Sequence, residues 1–257
     1  MAWERGNPFE LTGKVALVTG GGRGIGGGIA RAVANAGADV VLAARSKEQL
    51  ESVADDIRSL GRRVVVAPTD VSDLDQVRSL MELPARELGR FDIFFNNAGT
   101  NRRLPIAEAT PEDWDTVQGV NLRAAFFAMK YAIGPMLAGG YGRIINTASL
   151  TSFIGMTGNS MYGASKGGVA QMTKAIATEL AETPIRVNAI APGYIRTAMT
   201  EARYHQDEFS SWVLSRVPMR RWGEPADLGG TAVFLSSPAS EYVTGHIIPV
   251  DGGWMGA

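Results

Sequence analysis

The sequence predicts an α/β fold, a doubly wound parallel sheet of seven strands with helices on both faces, and three observations predict it. Short β-branched runs alternate with longer segments of helical period along the whole chain. The strand segments are near-continuously apolar rather than alternating, as expected where helices cover both faces of a parallel sheet. A glycine-rich turn follows the first strand and opens the first helix.

Strands are expected at Lys14–Thr19, Val40–Ala43, Arg63–Ala67, Asp92–Phe95, Arg143–Thr147, Arg186–Ile190 and Ile247–Val250, from their β-branched and aromatic content. Helices are expected at Gly24–Ala36, Lys47–Leu60, Leu74–Leu88, Glu112–Leu137, Met161–Ala181 and Pro225–Leu235, where apolar positions recur at helical spacing. No repeat, low-complexity tract or Ser/Pro linker divides the chain, so one domain over 1–257 is expected. In such sheets ligands bind beyond the carboxyl ends of the strands.

Composition narrows the chemistry. The 257 residues include 25 Lys plus Arg and 26 Asp plus Glu, with a formal net charge of −1, 45% hydrophobic and 20% charged residues. That balance is globular and carries no electrostatic footprint for nucleic acid or an anionic membrane. No apolar run reaches transmembrane length, and Met1-Ala-Trp-Glu-Arg-Gly-Asn-Pro8 lacks the apolar core of a secretory signal. A soluble cytoplasmic protein is expected. With no Cys and only His205 and His246 as imidazoles, neither thiol chemistry nor a metal site is expected. The excess is in glycine, 31 residues, about 12% where ~7% is usual.

The first strand runs into Thr19-Gly-Gly-Gly-Arg-Gly-Ile-Gly-Gly-Gly28. Glycines permit the tight turn and let backbone N–H groups approach a pyrophosphate at the positive end of the following helix. Gly22, Gly24 and Gly27 satisfy G-x-G-x-x-G, a match that a run this rich yields by accident. More informative is T-G-x-x-x-G-x-G at Thr19, Gly20, Gly24 and Gly26, with Arg23 and Ile25 between. With Asn121, Ser149 and the pair Tyr162 and Lys166 further on, this turn makes the chain resemble the short-chain dehydrogenase/reductase family, in the branch of this length. The resemblance covers nearly the whole chain. It implies a Rossmann-type domain, a nicotinamide cofactor and an Asn–Ser–Tyr–Lys catalytic tetrad.

Cofactor choice is readable after the second strand. NAD sites usually place an acid about 20 residues past the glycine turn, where it accepts from the ribose hydroxyl. Here Ala44, Arg45 and Ser46 occupy that region, and Asp39 lies at the strand's other end. Arg45, with Arg23 from the turn, suits a 2′-phosphate, so NADP(H) is the preferred cofactor, with NAD(H) remaining possible; the alternative is two solvated arginines. By resemblance, Asp70 and Val71 hold the adenine, Asn97, Ala98 and Gly99 line the ribose, and Pro192, Gly193, Ile195 and Thr197 face the nicotinamide.

Tyr162 and Lys166 sit at i and i+4, on one face of the expected helix. Interconverting an alcohol and a ketone requires a hydride at the nicotinamide and a proton at the oxygen. A free phenol, with a pKa near ~10, is poorly matched to neutral pH, and a lysine cation with the oxidised nicotinamide is expected to lower it. Tyr162 is then the general acid or base, Ser149 orients the reacting oxygen and Lys166 bonds the nicotinamide ribose. The resemblance implies that Asn121 interrupts its helix and positions a water linking Lys166 to solvent.

Substrate contacts are sought in the segment 194–223, which holds Met199, Tyr204, His205, Phe209, Trp212 and Val213, with an amphipathic lid helix at Asp207–Ser215. Lid packing and substrate contact both remain open for His205 and Trp212. The cation pair Arg102 and Arg103 suits an anionic substrate or, equally, a solvated loop. By resemblance, N-N-A-G-x-x-R-R, Arg221-Trp-Gly-Glu-Pro-Ala-Asp-Leu228 and Val250-Asp-Gly-Gly-Trp254 are most like dehydrogenases of gluconate and deoxygluconate, that is, of sugar acids and polyols. A 3-oxoacyl-carrier or acyl-CoA reductase is the alternative, and a non-catalytic NADP-binding sensor a remote one. The family usually forms homotetramers through its two long helices and last strand, and Val117, Val120, Phe126, Phe127 and Ala128 give the Glu112–Leu137 helix the apolar surface for one.

Overall fold

The structure is a computed structural model that describes residues 6–257; part of the N-terminal reading therefore lies outside the described residues. Seven parallel strands form one sheet: β1 (Val15–Thr19), β2 (Asp39–Ala44), β3 (Val64–Pro68), β4 (Ile93–Asn96), β5 (Gly142–Thr147), β6 (Ile185–Pro192) and β7 (Ile247–Val250). Their spatial order is β3-β2-β1-β4-β5-β6-β7. The chain reverses its direction of travel between β1 and β4, which makes that crevice the topological switch point.

Alternate residues of each strand enter opposite cores. Ala16 and Val18 pack with Ile29 and Val33 of α1 (Gly24–Asn35), with Leu50 and Ile57 of α2 (Lys47–Ser59) and with Leu235 further along the chain. Val15 and Leu17 face the other side, against Val77 and Met81 of α3 (Leu74–Leu88) and Met129 and Met136 of a later helix. The seven expected strands are all present; β7 has the expected bounds and the ends of the others differ by at most two residues, as is usual for edges read from pattern.

The single expected helix Glu112–Leu137 is in fact three pieces: α4 (Pro111–Gln118), a π-helical turn at Gly119–Arg123 and α5 (Ala124–Ala138). Periodicity alone does not see a π turn, because one inserted residue barely shifts the apolar stripe. The local interruption expected at Asn121 is this turn. α6 (Ser160–Glu179) carries Tyr162 and Lys166. Beyond β6 lie the short α7 (Glu201–Tyr204), missed in the sequence reading, and α8 (Asp207–Arg216), where a helix was expected over Asp207–Ser215. The segment Pro225–Leu235 is a 3-10 turn (Pro225–Leu228) leading into α9 (Gly229–Ser236). Among the described residues no helix is long and apolar enough to cross a membrane, and no group of three acids or imidazoles could hold a metal.

Candidate active site

The glycine turn is built around two left-handed residues, Gly20 (φ 66°) and Gly24 (φ 52°). A side chain at Gly20 would stand 2.9 Å from Asn97 Nδ2 and 3.2 Å from the Ala98 backbone, so only glycine fits. Thr19 Oγ1 ties the two sides of the switch point: it accepts from the N–H groups of Asn97 (3.0 Å) and Ala98 (3.1 Å) and donates to the Phe95 carbonyl. Asn97 returns a bond from Nδ2 to the Thr19 carbonyl (2.9 Å) and accepts one from Thr147 Oγ1 (3.2 Å).

Several observations test whether these residues fit a dinucleotide, and they do. Helix α1 starts at Gly24 without a side-chain cap and without an acid in its first turn. Its first N–H groups and its positive end are therefore left for an anion. Arg23 and Arg45 are both exposed on this side, whereas Asp39, at the far end of β2, is taken by Arg63 at 2.7 Å. Ile25 is half-buried against the core, and Ser46 caps α2 by accepting from the Gln49 N–H. Asp70 accepts from the Ser72 N–H (2.9 Å) and hydroxyl (2.8 Å). Those bonds, with a smaller contribution from the charge of Arg45, hold its carboxyl below the usual range. Val71 lies beside it, half-buried. At the other strand ends Pro192 closes β6, and a side chain at Gly193 would meet the Asp251 backbone at 2.7 Å. Ile195 pairs with Gly223, and the Thr197 methyl approaches Gly24 so closely that a Cβ there would be 3.3 Å away. The segment after β6 thus lies against the glycine turn.

The tetrad converges beside this cradle. Lys166 is buried and donates from Nζ to the Thr147 carbonyl at 2.6 Å; the Nζ is 5.7 Å from the Tyr162 ring centroid. Ser149 caps a 3-10 turn at Leu150–Ser152, its hydroxyl accepting from the Thr151 N–H at 3.2 Å, and it lies close enough to the Tyr162 phenol to favour the ionised form. Asn121 is buried in the π turn. Its Oδ1 accepts from the Thr100 N–H (2.8 Å), and its Nδ2 donates to the Thr100 carbonyl (2.9 Å) and Ser165 Oγ (3.0 Å). A Cβ at Gly99 would meet Asn121 Oδ1 at 3.3 Å and Lys166 Nζ at 3.8 Å, so Gly99 is where the two side chains approach each other. Thr147, Thr100 and Ser165, which hold Lys166 and Asn121, were missed in the sequence. Their role comes from long-range packing, and no local motif signals it.

Electrostatics in the cofactor-free protein differs from the expectation. Burial pushes the Tyr162 phenol up; its bond with Ser149 and the charge of Arg103 act against that without overcoming it. Burial also lowers Lys166, to about 8. The ammonium is directed at Thr147 rather than at the phenol, so the expected lowering of Tyr162 by Lys166 is absent in this arrangement. Between about 8 and about 10.5 the unfolded chain binds a proton at this lysine that the folded chain does not, so stability rises with pH across that window. The raised phenol works the other way, lowering stability only above about 10, where the unfolded tyrosine ionises first. Urea unfolding of the cofactor-free protein is expected to show wild type gaining about 1–3 kcal/mol on Lys166→Met between pH ~8 and ~10. A difference independent of pH contradicts a buried titrating amine.

On the substrate side the predicted residues separate. Arg103 is half-buried, donates from Nε to Asn159 Oδ1 at 3.1 Å, and its charge is felt at Tyr162. Arg102 is exposed and turns to Asp113 at 3.9 Å. His205 is exposed on the end of α7, bonded to Glu201 at 2.8 Å. Trp212 belongs to an aromatic cluster centred on Tyr194, with ring centroids 6.2 Å apart; Phe209, Trp222 and Trp254 pack on the same ring. Tyr194 and Asn159 were missed, the first because it reads as one more residue of the post-strand loop.

A phosphate cradle at a switch point, flanked by a phenol, a hydroxyl and a buried amine, defines a nicotinamide-dependent oxidoreductase working on CH–OH groups. The family model described as enoyl-(acyl carrier protein) reductase matches residues 20–255, and the chain belongs to the short-chain dehydrogenase/reductase family. It is 44% identical to 2-dehydro-3-deoxy-D-gluconate 5-dehydrogenase of Pseudoalteromonas atlantica, covering 96% of this chain and 98% of that one. It is 40% identical to gluconate 5-dehydrogenase of Gluconobacter oxydans, covering 95% and 96%. Among solved structures, a gluconate 5-dehydrogenase from Burkholderia cenocepacia in complex with NADP and tartrate is 38% identical, with a TM-score of 0.93 and coverage of 97% and 98%.

Proposed function

We propose that this protein interconverts a secondary alcohol and a ketone on a sugar acid, with NADP(H) as its preferred cofactor. The observation that carries the substrate reading is Arg103, a half-buried guanidinium beside Tyr162 with no carboxylate partner among the described residues. A partly desolvated cation at a reacting site suits an anionic substrate. Names of the relatives point the same way. Arg23, Arg45 and the absence of an acid at the cofactor end of β2 support the 2′-phosphate.

When bound, the nicotinamide supplies or accepts the hydride. Ser149 holds the substrate oxygen, Tyr162 gives or takes its proton, and Lys166 binds the cofactor's ribose and keeps a cation near the phenol. Asn121 holds the Thr100 backbone and Ser165 beside Lys166, acting as a positioning residue. The segment 194–223 serves as a lid over a single catalytic domain. His205 and Trp212 belong to that lid rather than to the substrate. A homotetramer is built on the two long helical segments and β7; Leu122 of the π turn, Phe126 and Phe127 of α5 and Met172 of α6 line one apolar groove.

A 3-oxoacyl thioester reductase is the second reading, favoured by 39% identity to the 3-oxoacyl-[acyl-carrier-protein] reductase of Thermotoga maritima and by the exposed Arg102. Nicotinamide absorbance, followed with sugar acids, free sugars, polyols and acetoacetyl thioester, separates the two. Sugar acids are expected to give the highest kcat/KM; preference for the thioester replaces the first reading with the second.

A further inference from the structure

We infer that Arg203 on α7 is the second half of a two-guanidinium clamp that, with Arg103, grips the substrate's carboxylate. The inference rests on the sugar-acid reading and assigns its specificity to a residue of the lid segment.

Four arginines line this rim, and they divide cleanly. Arg102 has Asp113 at 3.9 Å and Arg196 has Glu201 at 3.7 Å. Arg103 and Arg203 have no carboxylate among the described residues, yet both are half-buried. Each is held in place by neutral groups. Arg103 lies across Gly158, where a Cβ would be 3.2 Å from its Cγ, and its Nε is pinned to Asn159 Oδ1. The same Oδ1 also accepts from Asn101 Nδ2 at 3.2 Å. That leaves the terminal nitrogens of Arg103 without partners among the described residues. The Arg203 guanidinium lies over the Phe209 ring, 4.6 Å from its centroid, a cation–π contact that holds it in place without neutralising it.

A chain of contacts links the elements that carry the two. Phe209 packs on Tyr194 at 5.7 Å, and the Tyr194 hydroxyl reaches Met156 Sδ at 3.5 Å. Met156 is two residues before Gly158, on which Arg103 rests. The two cations are close enough that Arg103, after burial, is the main influence depressing Arg203. Two desolvated like charges with no counter-ion oppose each other. One carboxylate between them would satisfy both forks and remove the repulsion. A neutral isostere offers no such relief, so the clamp discriminates by charge and not by size.

The test compares D-gluconate with D-gluconamide, using NADP and the wild type, Arg203→Gln and Arg203→Lys. The acid-to-amide ratio of kcat/KM is expected to fall about 10- to 100-fold in Arg203→Gln, the loss typical of a charge-assisted bond, and to recover in part in Arg203→Lys. A ratio unchanged in Arg203→Gln overturns the clamp. Should the wild type turn over neither compound, nor 2-dehydro-3-deoxygluconate, the sugar-acid reading fails on its own. Calorimetric titration of tartrate into the NADP-bound protein then decides the clamp. Binding that Arg203→Gln weakens by the same factor supports it; equal binding to both proteins, or none to the wild type, overturns it.

Discussion

Tyr162→Phe is expected to lower kcat by about 10²–10⁴-fold, the range attributed to a positioned general acid or base. The phenol is the group beside Ser149, on the same helix as the buried Lys166, whose Nζ is 5.7 Å from its ring centroid. Removing one oxygen leaves the ring, α6 and the glycine cradle in place, so NADP affinity measured by fluorescence titration is expected to persist. Loss in kcat with retained binding marks an interaction made in the transition state. Because burial raises this phenol in the cofactor-free protein, alcohol oxidation is expected to demand the cation supplied by the bound oxidised cofactor. The pH profile of the NADP complex should therefore lie below that of the free phenol. An active Tyr162→Phe enzyme would remove the mechanism.

The second large effect concerns the cofactor. Arg45→Asp replaces an exposed cation at the end of β2 by the acid that a ribose hydroxyl prefers. The change removes a charge-assisted contact to the 2′-phosphate and adds repulsion. The NADPH KM is expected to rise about 100-fold while the NADH KM changes little or falls. Asp70 adds a check. Its carboxyl is stabilised in part by Arg45, so the variant places two acids at one rim and should disfavour any phosphate there. Equal effects on both cofactors would refute the assignment of Arg45 to the 2′-phosphate.

Much of the site was legible in the chain because its chemistry follows the strands. Gly20, Asn97, Thr147 and Pro192 each stand at or just beyond a strand end, and an apolar run announces its own end. The Tyr162–Lys166 pair needs only helical spacing. The π turn at Gly119–Arg123 could be expected only through resemblance, since Asn121 gains its partners Thr100 and Ser165 from two other segments. Charge state was the least legible. The sequence places a lysine one turn from a phenol, but the depth of burial and the Thr147 carbonyl decide where the ammonium points. For the same reason Arg102 and Arg103 look equivalent in sequence and diverge in the fold, one toward Asp113 and the other toward Asn159 and Tyr162.

We propose that this site oxidises a sugar-acid carbinol with NADP. The most direct measurement mixes the wild-type protein with NADP and either gluconate or 2-dehydro-3-deoxygluconate and follows the absorbance of the reduced nicotinamide. The account predicts a rise that requires the acid, is faster with NADP than with NAD and is lost in Tyr162→Phe. A flat trace with both acids, alongside NADPH oxidation on acetoacetyl thioester, would contradict it.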